Sequence, residues 1–250
     1  LAVAARIWAV VPAAGIGARM GAPIPKQYLP LAGRPLLLHT LERLCRYERL
    51  RGVLVGLAPG DPHWEANCAA ACARWPRFLG TYAGGTTRAQ TVLNGLLALA
   101  ARHAAADDDW VLVHDAARPC VRQADIDRLI EAVVSGGEDG GLLALPVTDT
   151  VKRADAGRHV LETVVRERLW RALTPQMFRL APLARALEAA LAAGVEVTDE
   201  SSAMEATGAR ILLVEGSADN IKITLPQDLD LAERCLVEKE REGAANRTRL

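Results

Sequence analysis

"IWAVVPAAGIGARMG", residues 7–21, sets an unbroken apolar run against a loop of small residues and glycines that carries Arg19. An apolar run without polar alternation reads as a strand buried on both faces, the kind found inside parallel sheets. In an open parallel sheet, ligands bind beyond the carboxyl ends of the strands, so the loop after this run is the first place to look for chemistry. Gly15 and Gly17 can form a tight turn that presents backbone N–H groups to phosphate oxygens, and Ala13 and Ala14 let a ligand approach the main chain. The spacing fits neither common nucleotide loop. Position 20 is Met where the dinucleotide fingerprint G-x-G-x-x-G needs glycine, and no Gly-Lys-Ser/Thr follows as a P-loop requires. Arg19 and Lys26 supply two nearby cations instead, as a site needs when charge develops on an attacked phosphorus; a solvated basic turn is the alternative.

Further apolar runs follow at "GVLVGL" (52–57), "FLGTY" (78–82), "WVLVHD" (110–115) and "GGLLAL" (140–145). Helical patterns separate them, starting at Pro35, which suits a first helical position, at Asp61, read as an N-cap, at "TRAQTVLNGLLALAARH" and at "QADIDRLIEAVVSGG". This alternation predicts a Rossmann-like α/β/α sandwich around a mostly parallel sheet. From 147 to 178 the rhythm changes to β-branched residues on either side of a polar turn, "RADAGRH", which predicts a projecting β-hairpin arm. An isolated hairpin is marginal in water, so a partner chain is expected to cover it. The helix "LAPLARALEAALAAG", the capped segment "TDESSAMEATG" and the strand "ARILLVEG" come next, and then "IKIT" as a strand before a proline-started helix. Residues 1–238 thus read as one domain, and the charged, non-periodic 239–250 as a disordered tail.

Composition narrows the partners. In 250 residues, 30 Lys and Arg balance 30 Asp and Glu, which argues against a general binder of nucleic acid or anionic membranes. The N-terminal "LAVAARIWAVV" reads as a first strand rather than a signal peptide, and no apolar run approaches the roughly twenty residues of a membrane span. The 5 cysteines are scattered, and the Cys68 and Cys72 pair lacks companions at zinc spacing, so buried free thiols in a reducing, cytoplasmic setting are expected.

Three later loops carry candidate chemistry. In "AGGTTRAQT" (83–91), Gly84 and Gly85 allow close approach to a base or sugar, with Arg88 and Thr91 at a helix start; a plain turn is the alternative. In "VHDAARPCV" (113–121), Asp115 at a strand end could bind a cation or hydroxyls beside Arg118, or simply cap a helix. His114 reads as a packed, hydrogen-bonded histidine. Late in the chain stand Thr198, Asp199, Glu200, Ser201, Asp219 and Lys222, with Asp199 a ready helix cap and Lys222 facing away from Ile221 and Ile223.

Taken in order, "PAAGIGARMG…PKQYLPLAGRP", "GGTTRAQTV", "VHDAARPCV", "PVTDTVKR", "LWRALTPQMF", "VTDESSAMEATG" and "VEGSADNIKIT" resemble the 2-C-methyl-D-erythritol 4-phosphate cytidylyltransferase family over nearly the whole chain. The resemblance implies a nucleotide-diphospho-sugar transferase type of fold. It also implies transfer of CMP from CTP to methylerythritol phosphate with release of pyrophosphate, in isoprenoid precursor synthesis. The residue roles it implies put the triphosphate on Ala13, Ala14, Gly15 and Gly17, with Arg19, Lys26 and Lys222 as catalytic cations. Gly84, Gly85 and Thr91 would meet cytosine and ribose. Asp115 and Arg118 would serve a shared CTP and acceptor site, with Thr198 close by. Thr150, Arg166 and Thr174 would reach the acceptor of a neighbouring subunit, making the 147–178 arm part of a homodimer's active site. Mg²⁺ is implied with the triphosphate, with Asp115 and Asp219 as candidate ligands. Thr87 stands where the family often has an acid, and Thr91 where it often has Ser. Rival expectations are a cytidylyltransferase for ribitol 5-phosphate and a CTP-binding module without turnover; an NAD-dependent oxidoreductase fails on the glycine spacing.

Overall fold

In the computed structural model, the described residues are 5–15, 17, 21 and 24–247, with side chains described as far as Glu238. Strand β1 (Ile7–Pro12) explains why its sequence is apolar throughout. Ile7, Ala9 and Val11 enter one core while Trp8 and Val10 enter the other, so neither face meets water. After a two-stranded ribbon, β2 (Pro30–Leu31) and β3 (Arg34–Pro35), comes helix α1 (Leu36–Cys45), so Pro35 precedes the helix rather than opening it. Then come β4 (Gly52–Leu57), a π-helical turn (Glu65–Ala69) leading into α2 (Ala70–Cys72), β5 (Phe78–Ala83), α3 (Arg88–His103), β6 (Trp110–Val113), α4 (Gln123–Gly136) and β7 (Gly140–Pro146). The hairpin β8 (Val151–Ala154) and β9 (Val160–Val164) follows, then β10 (Trp170–Arg179), α5 (Leu180–Ala192), α6 (Glu200–Glu205), β11 (Ile211–Glu215) and α7 (Gln227–Arg247).

The central sheet has seven strands in the order β11-β7-β10-β6-β1-β4-β5. All neighbours are parallel except β10, which runs antiparallel between β6 and β7. Helices α1 and α4 supply Leu37, Leu41, Ile126 and Leu129 to one core; α3 and α5 supply Val92, Leu96, Leu183 and Leu187 to the other. Each set recurs at three- and four-residue intervals, one apolar stripe per helix. Burying such a side chain stabilises the fold by about 1.5–3 kcal/mol. A third, smaller cluster ties α7 to the β2 ribbon and to the loop after β6, through Leu31, Ala117, Ile223 and Leu236. It fixes the last segment of the chain over the carboxyl ends of the strands.

Four expectations are corrected. The arm is shorter than 147–178: only 151–164 forms the separate two-stranded unit, nearly all of it exposed, while β10 belongs to the central sheet. Leu173, Met177 and Phe178 of β10 are buried, which requires a strand inside the sheet. Asp61 does not cap a helix; its Oδ1 accepts from the His63 N–H at 2.8 Å and its Oδ2 from the Tyr28 hydroxyl at 2.8 Å. Residues 221–224 form no strand: they keep the alternation, with Ile223 buried, but have no ladder partner because Ile223 N donates to Ala117 O in a loop. The expected tail is helical as far as Arg247, in keeping with its Glu, Lys, Arg and Ala content, and 248–250 lie outside the described residues.

Candidate active site

The loops after β1, β5 and β6 and the segment before α7 meet beyond the carboxyl ends of the strands and enclose a cleft of about 190 Å³. Among its described lining residues, Lys26, Arg88 and Lys222 are the cations and Asp115 is the sole carboxylate.

The first loop leaves β1 with Ala13, whose N–H continues the ladder to Gly56 O at 2.8 Å and whose carbonyl accepts from the buried Gln27 side chain at 2.7 Å. Gln27 thereby anchors the residue beside Lys26. Gly17 has φ +67, and a Cβ there would sit 2.7 Å from Lys26 Cγ, so only glycine lets the lysine stem cross the loop. Lys26 Nζ donates to Ile223 O at 3.2 Å, joining this loop to the late segment. Arg19 lies outside the described residues.

In the second loop, Thr91 Oγ1 accepts from Gly85 N at 3.0 Å and donates to Thr87 O at 2.9 Å, which holds the turn closed over the start of α3. Thr87 caps α3 by accepting from Gln90 N at 3.1 Å. An aspartate would cap the same position, so Thr in place of an acid keeps the structural role. A Cβ on Gly84 would lie 2.5 Å from Ala14 Cβ, which brings the first two loops into direct contact.

Asp115 is the hub of the third loop. Its Oδ1 receives Arg88 at 3.1 Å, and its Oδ2 receives Lys222 at 2.9 Å and Arg118 at 3.4 Å. Burial alone would raise the Asp115 carboxyl, but Arg88, Lys222 and Arg118 together hold it well below the usual carboxylate range. Arg118 itself is buried, donates to Asn220 O at 2.7 Å and does not line the cleft; it braces Asp115 from behind.

His114 is fully buried, with Nε2 3.1 Å from Arg118 O and Nδ1 2.9 Å from Thr174 Oγ1. A carbonyl can only accept, so Nε2 carries the proton and Nδ1 accepts from the threonine hydroxyl. Burial pushes its pKa down to about 4, which keeps it neutral and removes it from base chemistry. Thr174 also accepts from Asp115 N at 3.1 Å. It is therefore an internal support of Asp115, placed on β10 in the sheet rather than on the arm.

The remaining expected residues do not enter this cleft. Thr150 and Arg166 are exposed at the base of the hairpin, where Arg166 donates to Thr148 O. Thr198 is exposed just before the Asp199 cap of α6. Asp219 is paired with Arg122 at 2.7 Å and is not a lining residue. Among the described residues, no group of three His, Cys, Asp or Glu is placed to hold a metal ion. No helix of the described residues is long and apolar enough to cross a membrane.

Sequence reasoning missed Gln27, Asn220 and the bridging role of Arg88. Arg88 pairs with Glu200 through two parallel bonds of 2.6 and 3.1 Å. Glu200 follows a capping aspartate, so its sequence signal was that of an ordinary first-turn acid.

An open α/β sheet whose strand ends carry a glycine loop, converging cations and a single carboxylate among the described lining residues defines a nucleotidyltransferase. The family model for IspD, 2-C-methyl-D-erythritol 4-phosphate cytidylyltransferase, matches residues 7–238, and the chain belongs to that family. A curated relative of that name from Azoarcus sp. (strain BH72) is 53% identical over 228 residues, 91% of this chain and 93% of the relative. One from Pseudomonas aeruginosa (strain PAO1) is 54% identical over 225 residues, 89% and 92% of the two chains. Solved structures agree. A crystal structure of 4-diphosphocytidyl-2C-methyl-D-erythritol synthase matches with a TM-score of 0.79 at 37% identity, over 94% of this chain and 100% of that chain. The 2-C-methyl-D-erythritol 4-phosphate cytidylyltransferase of Francisella tularensis matches with a TM-score of 0.76 at 34% identity, over 92% of this chain and 99% of that chain.

Proposed function

We propose that this chain transfers CMP from CTP to 2-C-methyl-D-erythritol 4-phosphate by direct attack of the acceptor phosphate on the α-phosphorus. An acceptor phosphate oxygen forms the new P–O bond, the bond from the α-phosphorus to the oxygen it shares with the β-phosphorus breaks, and pyrophosphate leaves with that electron pair. No proton has to be removed, because a phosphate monoester is already anionic near neutral pH. The observation that carries this reading is the convergence of Lys26, Arg88 and Lys222 on a cleft whose described lining includes no histidine. Such chemistry needs preorganised positive charge more than a base.

The triphosphate lies over Ala13, Ala14, Gly15 and Gly17, with Arg19 and Lys26 stabilising the phosphates and Lys222 the charge that develops at the α-phosphorus. Cytosine and ribose sit beside Gly84, Gly85 and Thr91. Asp115 accepts from hydroxyls of the acceptor, and Arg118 keeps it in place. Magnesium, when bound with the triphosphate, would neutralise charge on the phosphates. The cleft fits an ion that arrives with the nucleotide, since Asp115 is the one carboxylate among its described lining residues and magnesium prefers phosphate oxygens and water. Asp219, committed to Arg122, is not assigned to it.

Thr150 and Arg166 act on the active site of a second copy in a homodimer. The hairpin supports this with Val160 at 63%, Leu161 at 62% and Val165 at 70% exposure, an apolar surface a partner would cover. Cys45, Cys68 and Cys72 are buried free thiols, which supports a reducing compartment such as the cytoplasm.

Pyrophosphate release from CTP and Mg²⁺, with methylerythritol phosphate and ribitol 5-phosphate tested side by side, checks the acceptor. Release with the first is expected; release with ribitol phosphate alone would overturn the reading.

A further inference from the structure

We propose that Glu200 is a positioning residue for the acceptor: through Arg88 it fixes the Asp115 carboxylate in the orientation that receives the polyol phosphate. This rests on the function proposed above and adds a residue that never touches substrate.

Glu200 has no exposed surface and does not line the cleft, yet it is ion-paired to a side chain that does. Arg88 Nη1 and Nη2 meet its two carboxylate oxygens at 2.6 and 3.1 Å. The adjacent edge of the same guanidinium, Nε at 3.2 Å and the shared Nη2 at 3.1 Å, meets Asp115 Oδ1. A guanidinium is a rigid planar fork, so two anchors fix its plane where one would leave it to swivel. With Oδ1 of Asp115 occupied in this way, Oδ2 is the oxygen turned to Lys222. Burial raises the Glu200 carboxyl against the pull of Arg88, so its pairing rests on the two guanidinium bonds themselves.

Glu200 is itself delivered by a built support. Gln176 of β10 donates to Asp199 Oδ2 at 2.8 Å and accepts from Ser201 N at 2.8 Å. Asp199 Oδ1 in turn accepts from Ser202 N at 3.0 Å. The first turn of α6 is thus pinned to the central sheet with Glu200 aimed at Arg88. Without Glu200, Arg88 would keep only Asp115, or would turn to the phosphates, and either outcome disturbs the carboxylate that binds the acceptor.

The test is steady-state kinetics of the full chain with CTP, Mg²⁺ and methylerythritol phosphate for Glu200→Gln, Arg88→Lys and the double variant, with thermal melts of each. Glu200→Gln is expected to raise KM for the acceptor about tenfold, with KM for CTP and kcat each within about twofold. In the Arg88→Lys background the same substitution should add nothing, since its effect passes through Arg88. Glu200→Asp, which keeps the charge, should shift KM less and serves if Glu200→Gln does not fold. An unshifted acceptor KM, equal shifts for both substrates, or additive effects in the double variant would overturn the inference while leaving wild-type activity intact. A wild-type chain that releases no pyrophosphate with methylerythritol phosphate would overturn the proposed function, and this inference with it.

Discussion

The Nζ of Lys222 lies 2.9 Å from Oδ2 of Asp115, with 38% of the lysine side chain exposed against 9% of the carboxylate. The lysine is therefore the mobile partner of a pair whose other member is held on several sides. When a phosphate enters, Lys222 can turn to it while Arg88 and Arg118 keep Asp115 ionised. Lys222→Ala should lower kcat about a hundredfold or more, in line with loss of one transition-state donor. Its melting temperature should change little, because Arg88 and Arg118 continue to pair Asp115 once the lysine is gone. Pyrophosphate release and a thermal melt on the same preparation check both halves.

Lys26 is held differently, by the Gly17 crossing and the Ile223 carbonyl. Lys26→Ala should also lower turnover on the order of a hundredfold, with KM for CTP rising less than kcat falls. Near-normal turnover would remove Lys26 from its assigned role.

His114 makes stability depend on pH. Its pKa is about 4 in the fold against an ordinary 6.5, with burial the main cause. Between these values the unfolded chain binds a proton that the folded chain refuses. The contribution is complete above pH 6.5 and is lost as pH falls toward 4, by roughly 3 kcal/mol in all. Urea midpoints at about pH 7.5 and about pH 5 should differ in that direction, and His114→Gln should flatten the difference. A slope that survives the substitution would assign it to other groups.

Gly84 tests the junction between the first two loops. A methyl group there would lie 2.5 Å from Ala14 Cβ and 3.0 Å from Leu57 O, neither of which can swing aside. Gly84→Ala should destabilise by about 1–3 kcal/mol and raise KM for CTP while leaving KM for the acceptor nearly unchanged. Calorimetry and substrate titrations read the two effects separately.

The proposed sharing of sites makes a sharper prediction about the hairpin. If the arm completes the site of a second copy, Lys26→Ala disables a chain's own cleft and Arg166→Ala the arm it would lend to the other copy. Mixing the two inactive proteins under subunit exchange should restore about a quarter of wild-type activity, since half the dimers are mixed and each has one intact site. No recovery, with exchange verified by light scattering of size-tagged chains, would contradict sharing.

Much of this architecture is legible in the sequence because strands such as β1 and β4 are buried on both faces and so spell continuous apolar runs. The β1 loop is legible for a different reason: its glycines, small residues and cations are each demanded by phosphate. What hides is what depends on distant partners. Strand β10 contains Pro175 and the buried Gln176, so its run looks like part of an arm until β6 and β7 flank it. Thr174 reads as a residue of the arm, but His114 and Asp115 claim its hydroxyl from across the fold. Glu200 and Arg88 each read only as helix-start residues, since their pairing exists only once α6 is pinned against β10 and α3 starts opposite it.

The stereochemical course at the α-phosphorus tests direct transfer without a covalent intermediate. With CTP carrying a chiral α-thiophosphate and methylerythritol phosphate as acceptor, a single in-line displacement must give the product with inverted configuration. Retention would mean two displacements through a nucleotidyl-enzyme, with Lys26 or Lys222 as a nucleophile rather than a source of charge, and would contradict the mechanism.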